Sequence, residues 1–273
     1  MSLRRVLVAV TACAALLAAP ATASAVAPPP PGANVPCTPT AAHPEPVILV
    51  HGTFENRYNN WLAMSPALKR AGYCVYALNY GSYQGSGLIG VYGLNQIQKS
   101  ADELRAYVNQ VRSSTVAGKV DLVGHSQGGL MPRWYIKNLG GDAVVDDLVG
   151  LAPSNHGTTN PLGPLAGYGC PACIQQTAGS PFLTELNSGD ESPGPVSYTQ
   201  VVTQYDEVVI PYTSGYLAAD PAVTNLKLQE KCPTDTSEHI RIPYSLGAIG
   251  ITKNALARTG PADPGFQPAC APV

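Results

Sequence analysis

The chain predicts an α/β fold in which one mostly parallel sheet is covered by helices on both faces. Three observations predict it. Short apolar runs alternate with amphipathic segments at helical spacing. The run at 120–123 leads through Gly124-His125-Ser126-Gln127-Gly128 into a segment of helical periodicity, the strand–turn–helix context that a G-x-S-x-G sequence requires. No internal repeat or second domain interrupts the alternation.

The β-branched run at 47–50 reads as the first strand and ends at His51-Gly52. Residues 61–71 (Trp61, Leu62, Leu68) read as a helix with Lys69 and Arg70 at its C-terminal end and Gly72 as its stop. Pro66 within it implies a late start or a kink. Residues 73–78 read as a second strand. Ile97, Ala101, Leu104, Val108 and Val111 recur at helical spacing, with Gln98, Lys99, Asp102, Glu103 and Arg105 on the other face, so this is the clearest helix. A strand at 120–123 and a helix at 127–139 follow, stopped by Gly140-Gly141, and then a strand at 144–151. Residues 153–195 are rich in Pro, Gly, Thr and Ser and read as loop, with one short helix around 180–187. Residues 196–202 read as strand and 226–229 as another, before a Pro-rich C-terminal stretch that holds Cys270.

The 273 residues carry a formal net charge of −2 with only 12% charged residues and no basic cluster, which argues against a nucleic-acid partner. Residues 1–25 read as a signal peptide. Arg4 and Arg5 precede an apolar stretch from Val6 to Ala19, and small-x-small sites end at Ala23 and Ala25. The expectation is a secreted protein cleaved near one of those alanines, with the export route left open by the Arg pair. Cys13 ends a loose lipoprotein box, but the apolar run continues past it, which argues against lipidation. No later segment is long and apolar enough for a membrane helix, so no stable membrane insertion is expected. Residues 26–46 read as a Pro/Ala-rich arm and 47–273 as one catalytic domain. The chain is read as a monomer. Past the leader six cysteines remain, Cys37, Cys74, Cys170, Cys173, Cys232 and Cys270, an even number that suits three disulfides in an exported chain.

In a parallel sheet, ligand sites lie beyond the carboxyl ends of the strands. His51-Gly52-Thr53, Ser126 and Asp206 fall there. A serine on the tight turn after a strand stands exposed and becomes a nucleophile when an imidazole takes its proton and a carboxylate fixes that imidazole. With chain order Ser, acid, His, as in the α/β-hydrolase fold, only His239 of the five histidines lies far enough downstream. Asp206 is the first choice of acid, at the end of Val201-Val202-Thr203-Gln204-Tyr205, and Glu207 is its rival. His125 is expected to point inward beside the nucleophile and His51 to order the loop after the first strand. His43 and His156 read as polar loop residues. The backbone amides of Gln127 and Thr53 are the candidate oxyanion donors. Cys170-Pro171-Ala172-Cys173 leaves open a redox pair or half a zinc site, although no second ligand pair lies near it.

Residues 46–53 (Pro46-Val47-Ile48-Leu49-Val50-His51-Gly52-Thr53), the Gly-His-Ser-Gln-Gly elbow with Gly129-Leu130, and Leu151-Ala152-Pro153 resemble secreted actinobacterial class 2 lipases. Later segments are similar to the fungal lipase B of Candida antarctica: 175–180, Tyr205-Asp206-Glu207-Val208-Val209, Cys232 seven residues before His239, Ala257-Arg258-Thr259 and the late Cys270. The resemblance covers roughly residues 37–270. It implies an α/β-hydrolase with a Ser126–His239–Asp206 triad, oxyanion donors at Thr53 and Gln127, no metal and no cofactor. It also implies disulfides Cys37–Cys74 and Cys232–Cys270, which leaves Cys170–Cys173. The sequence departs from the fungal pattern in having His125 in place of Trp, and in the Cys170/Cys173 pair.

The expected function is therefore serine-dependent hydrolysis of acyl esters, of triacylglycerols or other lipids, through an acyl-enzyme on Ser126. Acyl transfer or polyester depolymerisation on the same triad are the enzymatic alternatives, and a non-catalytic hydrolase-fold binding protein is the remaining one. The Pro-rich composition of 153–195 predicts no long lid helix. Leu162, Leu165, Ile174, Phe182 and Leu183 are candidates to line a preformed acyl groove.

Overall fold

The computed structural model describes residues 27–160 and 169–270. The leader with its cleavage sites lies outside the described residues. Six strands form one parallel sheet in the order β2-β1-β3-β4-β5-β6. They are β1 (Val47–Val50), β2 (Val75–Leu78), β3 (Val120–His125), β4 (Val145–Leu151), β5 (Ser197–Val202) and β6 (Val223–Lys227). The order reverses at β1, which places the crevice above β1 and β3, where ligands of open parallel sheets bind.

The period of two along each strand sorts side chains to two cores. Ile48, Val50, Leu122 and Leu148 face one layer, formed by α2 (Ile97–Thr115) and α3 (Gln127–Asn138). Val47, Leu49, Val123 and Val149 face the other, formed by α1 (Met64–Arg70) and a C-terminal helix, α7 (Leu246–Leu256). In α2 the expected stripe of Ile97, Ala101, Leu104, Val108 and Val111 is buried throughout. Helix α1 starts late, with Pro66 in its first turn, where a missing amide hydrogen costs nothing.

Two expectations shift. The strand placed at 226–229 begins at Val223, and its last expected residues, Leu228 and Gln229, open α6 (Leu228–Lys231). Helix α7 occupies part of the stretch read only as Pro-rich. Its sequence is apolar on nearly all sides and carries two glycines, so it shows little amphipathic period. Gly247 is there for contact: a Cβ would sit 2.7 Å from Cys232 Sγ. Ser245 caps the helix by accepting from the Ala248 amide at 3.1 Å. Between β4 and β5 the described residues form two short helices, α4 (Pro171–Gln175) and α5 (Pro181–Leu186), of which only the second was expected.

The N-terminal arm seals edge strand β2. Asn34 donates to Ala77 O (2.9 Å) and accepts from Ala77 N (2.7 Å), in place of a further strand. The disulfides are Cys37–Cys74 and Cys232–Cys270, as the resemblance implied, and Cys170–Cys173, the pair it left over. The first and last close loops with separations of 37 and 38 residues. In the chain-entropy account each contributes about 4 kcal/mol by restricting the unfolded chain. No helix among the described residues is long and apolar enough to cross a membrane.

Candidate active site

Strand β3 ends at His125 and helix α3 begins at Gln127, so Ser126 takes the whole reversal. Its φ of 54° and ψ of −124° are strained for a residue with a Cβ. The flanking glycines make the turn possible. A Cβ on Gly124 would lie 1.8 Å from Gly128 O, and one on Gly128 would lie 2.0 Å from Val50 O. The Ser126 amide is tied to Leu151 O at 2.9 Å, which anchors the elbow to β4. Ser126 Oγ has no hydrogen-bond partner among the described residues and faces a cavity of about 440 Å³.

His239 lines the same cavity. Its Nδ1 lies 2.9 Å from Asp206 Oδ2, and both side chains are at most 3% exposed. The other carboxylate oxygen, Oδ1, accepts the amides of Val208 (3.0 Å) and Val209 (2.7 Å). The turn after β5 therefore fixes the orientation of the Asp206 carboxyl group with two backbone donors. Glu207, the rival acid, goes elsewhere: its Oε2 accepts the backbone amide of His239 at 3.3 Å, not the ring. The acid and histidine loops are stapled by Gln229, whose Nε2 donates to Thr203 Oγ1 (2.9 Å) and Asp235 O (3.0 Å) while its Oε1 accepts Gln204 N (3.0 Å).

Thr53 sits on the loop after β1, beside the elbow. Its Oγ1 accepts from Gln127 Nε2 (3.1 Å) and Gln176 Nε2 (3.0 Å), so its hydroxyl hydrogen stays available to a third atom. Gln127 Nε2 also donates to Gly93 O at 2.9 Å. Neither the Thr53 nor the Gln127 amide has an acceptor among the described residues. Two amides and one hydroxyl hydrogen thus stand free near Ser126, a donor set suited to an oxyanion. His51 supports this loop as expected. It is fully buried, its Nδ1 donates to Gly52 O at 2.8 Å, and burial pushes its pKa down to about 4, so the ring is neutral.

The cavity is apolar toward solvent. Phe54, Val208 and Ile240 line it while remaining 53%, 37% and 48% exposed. The three described residues among those expected from sequence to line a groove, Ile174, Phe182 and Leu183, do not line it. Phe182 and Leu183 are buried in the core layer of α2 and α3, and Ile174 is half exposed away from the cleft. Leu162 and Leu165 lie outside the described residues. His43 packs on Tyr73, and His156 pairs with Glu191 at 3.0 Å outside the cavity that Ser126 lines, both in loops as expected. Cys170 and Cys173 are joined to each other, so they form neither a dithiol nor half a zinc site.

Glu55, Asn60 and Gln176 were not anticipated. Glu55 Oε2 and Asn60 Oδ1 each accept the Gly52 amide at 3.0 Å, and both side chains touch His125. The one available signal was Gln176 within the segment of resemblance at 175–180.

The family model for class 2 lipases matches residues 44–242. Triacylglycerol lipases of Pseudarthrobacter phenanthrenivorans and Burkholderia plantarii are each 39% identical over 99 residues, which is 34% of this chain. The match spans only 28% and 25% of those relatives' own lengths. Aspergillus fumigatus lipase B is similar in structure, with a TM-score of 0.69 and 25% identity over 83% of this chain and 57% of its own. Bacillus licheniformis lipase BlEst2 in its mature form shares the fold, with a TM-score of 0.56 and 17% identity, over 78% of this chain and 91% of its own.

Proposed function

The chain belongs to the class 2 lipase family, and from that premise we propose that it is a serine-dependent carboxylic-ester hydrolase acting on lipid acyl esters. The observation that carries the reading is one cleft lined by Ser126, His239 and Thr53, with Asp206 paired to His239 behind it and the Gln127 amide, next in the chain to Ser126, without an acceptor among the described residues.

In this reading the Asp206 carboxylate holds His239 with Nδ1 protonated, leaving Nε2 as the base. Ser126 Oγ attacks the ester carbonyl carbon as Nε2 takes its proton. The carbonyl electrons pass to oxygen, where the amides of Thr53 and Gln127 and the Thr53 hydroxyl receive them. His239 then returns the proton to the leaving alcohol, and the acyl group stays on Ser126. Water, deprotonated by the same Nε2, releases the acid. The apolar rim of Phe54, Val208 and Ile240 suits an acyl chain and offers nothing to a charged substrate, which favours lipid esters. Signal-peptide cleavage and secretion as a monomer complete the proposal, and the three disulfides support an oxidising destination.

The test is Ser126→Ala assayed on a series of glycerol esters of increasing acyl length. Loss of turnover by several orders of magnitude on every ester, with the fold retained, is the expected result. Near-wild-type hydrolysis by the variant would remove the assignment.

A further inference from the structure

Under the nucleophile lies a buried charged group for which the hydrolytic steps above have no use. His125, the last residue of β3, is fully buried. Its Nδ1 lies 2.8 Å from Glu55 Oε2 and its Nε2 lies 2.9 Å from the main-chain oxygen of His239. Both partners are acceptors that cannot donate: a carboxylate and a peptide carbonyl. A neutral imidazole carries one N–H, so one of these short contacts would set lone pair against lone pair. Only the doubly protonated ring satisfies both. Asn60 Nδ2 lies 3.1 Å from the same Nδ1. That nitrogen cannot accept from Asn60 while donating to Glu55, and the shorter, charged contact takes the proton.

Electrostatics agrees with the geometry. Burial alone would push the His125 pKa down. The charge and hydrogen bond of Glu55, the His239 carbonyl and the Asp206 charge outweigh it, so the pKa is raised. Burial alone would push Glu55 up, yet it is lowered, by His125 first and then by His51 and His239. The titratable groups facing the ring are Glu55 and His51 from the β1 side, His239 from the histidine loop and Asp206 from the turn after β5. The ionised Glu55–His125 pair is neutral as a unit, so it adds no net charge beneath Ser126.

Three elements meet at this pair. Glu55 accepts the Gly52 amide, one residue before the oxyanion donor Thr53. His125 precedes Ser126. The His239 carbonyl belongs to the base itself. We propose that Glu55 and His125 form a buried clamp that fixes the main chain of His239 relative to the oxyanion loop and the elbow, making both positioning residues for hydrolysis at Ser126. This rests on the serine-hydrolase reading. A clamp acts on alignment in the transition state more than on substrate binding, so its loss lowers kcat and leaves KM nearly unchanged. It is intact while Glu55 is ionised and His125 protonated. As pH rises through the raised His125 pKa, the ring loses a proton and one of its two contacts, and kcat declines.

The experiment combines Glu55→Gln, which keeps shape and hydrogen-bonding capacity without the charge, with His125→Phe, which removes both donors. Each is measured for kcat and KM against pH on a dissolved short-chain ester, for the rate of fluorophosphonate labelling of Ser126, and for thermal midpoint. Nitrogen NMR of the histidine rings reports the protonation of His125 directly. The expected wild-type ring is protonated on both nitrogens at pH 7. Glu55→Gln should have a neutral ring, kcat lowered about tenfold with KM within about twofold, slower labelling, and no alkaline limb of its own. His125→Phe should lose at least as much. If it does not fold, Glu55→Gln and the NMR still decide. A wild type labelled at Ser126, with variants that keep its kcat and pH profile and lose only thermal stability, overturns the clamp alone. So does a neutral His125 ring in the wild type. A wild type that is never labelled at Ser126 overturns the hydrolase reading beneath it.

Discussion

At the carboxyl end of the sheet, Asp206 and Glu55 each face an imidazole, at 2.9 and 2.8 Å. At the amino end, Asp121 on β3 and Asp147 on β4 are each only 3% exposed, and Oδ1 of each has no hydrogen-bond partner. Desolvation acts on Glu55, Asp121 and Asp147 alike, and the outcome is opposite. Glu55 is held below the usual carboxylate range because His125 outweighs desolvation. Asp147 is pushed up to about 8 by burial first and then by Asp146 and Glu45, against the weaker pull of Lys119 and Arg258. Asp121 is raised well above its ordinary value, by burial and then by Asp147 and Glu45. Charge is favoured on Glu55, which faces an imidazole, and disfavoured on Asp121 and Asp147, whose charged neighbours are mostly other carboxylates. The partner, not the depth, sets the state of a buried carboxylate.

The largest effect is expected at the carboxyl end. Asp206→Asn should lower kcat by about 10²–10⁴-fold, because the amide cannot stabilise the imidazolium that forms on His239. Glu207→Gln should cost far less, since Glu207 meets only the His239 amide. Steady-state kinetics of the two purified variants decides: a large loss in Glu207→Gln with an active Asp206→Asn would exchange their roles.

At the amino end the same type of substitution should act on stability and leave catalysis alone. The folded state holds a proton on Asp147 that the unfolded chain releases near pH 4. The contribution of this group is therefore fully present below about pH 4 and is lost as pH rises through about 8. Asp147→Asn should match wild type in acid and be more stable than it at pH 8, because the amide has no proton to take up on folding. Denaturant melts at pH 4 and pH 8 test this. An advantage that shrinks as pH rises would reverse the sign of the account.

The smallest effect concerns access to the carboxyl end. The described residues between β4 and β5 form only the short helices α4 and α5, the first closed by Cys170–Cys173. With no long amphipathic helix among these described residues, the rate on a short-chain ester should pass smoothly through the solubility limit. A sharp step in rate on crossing that limit would show a mobile cover.

How much of this was legible in the sequence follows from the range of each constraint. The elbow was legible because strand, glycines and helix are contiguous, and steric demand fixes the glycines locally. His239 and Asp206 followed from chain order and from a strand leading into acids. The Glu55–His125 contact joins residues 70 apart in the chain, so no local pattern announces it. Helix α7 was hidden because it is apolar on nearly all sides and carries two glycines, one against Cys232 of a disulfide and one against Pro268. Strand β6 was misplaced because apolar Leu226 and Leu228 straddle the boundary between the strand and α6. Phe182 and Leu183 lie in the right segment for a groove, but α5 turns them into the core.

The central claim is that chemistry at the carboxyl end passes through Ser126 as an acyl-enzyme. Acid quenching during the first turnover of a p-nitrophenyl ester, followed by peptide mass mapping, tests it most directly. The account predicts a burst of p-nitrophenol approaching one equivalent per enzyme, with the acyl mass on the peptide containing Ser126 and absent from Ser126→Ala. Turnover with no burst and no adduct, or an adduct on another residue, would contradict it.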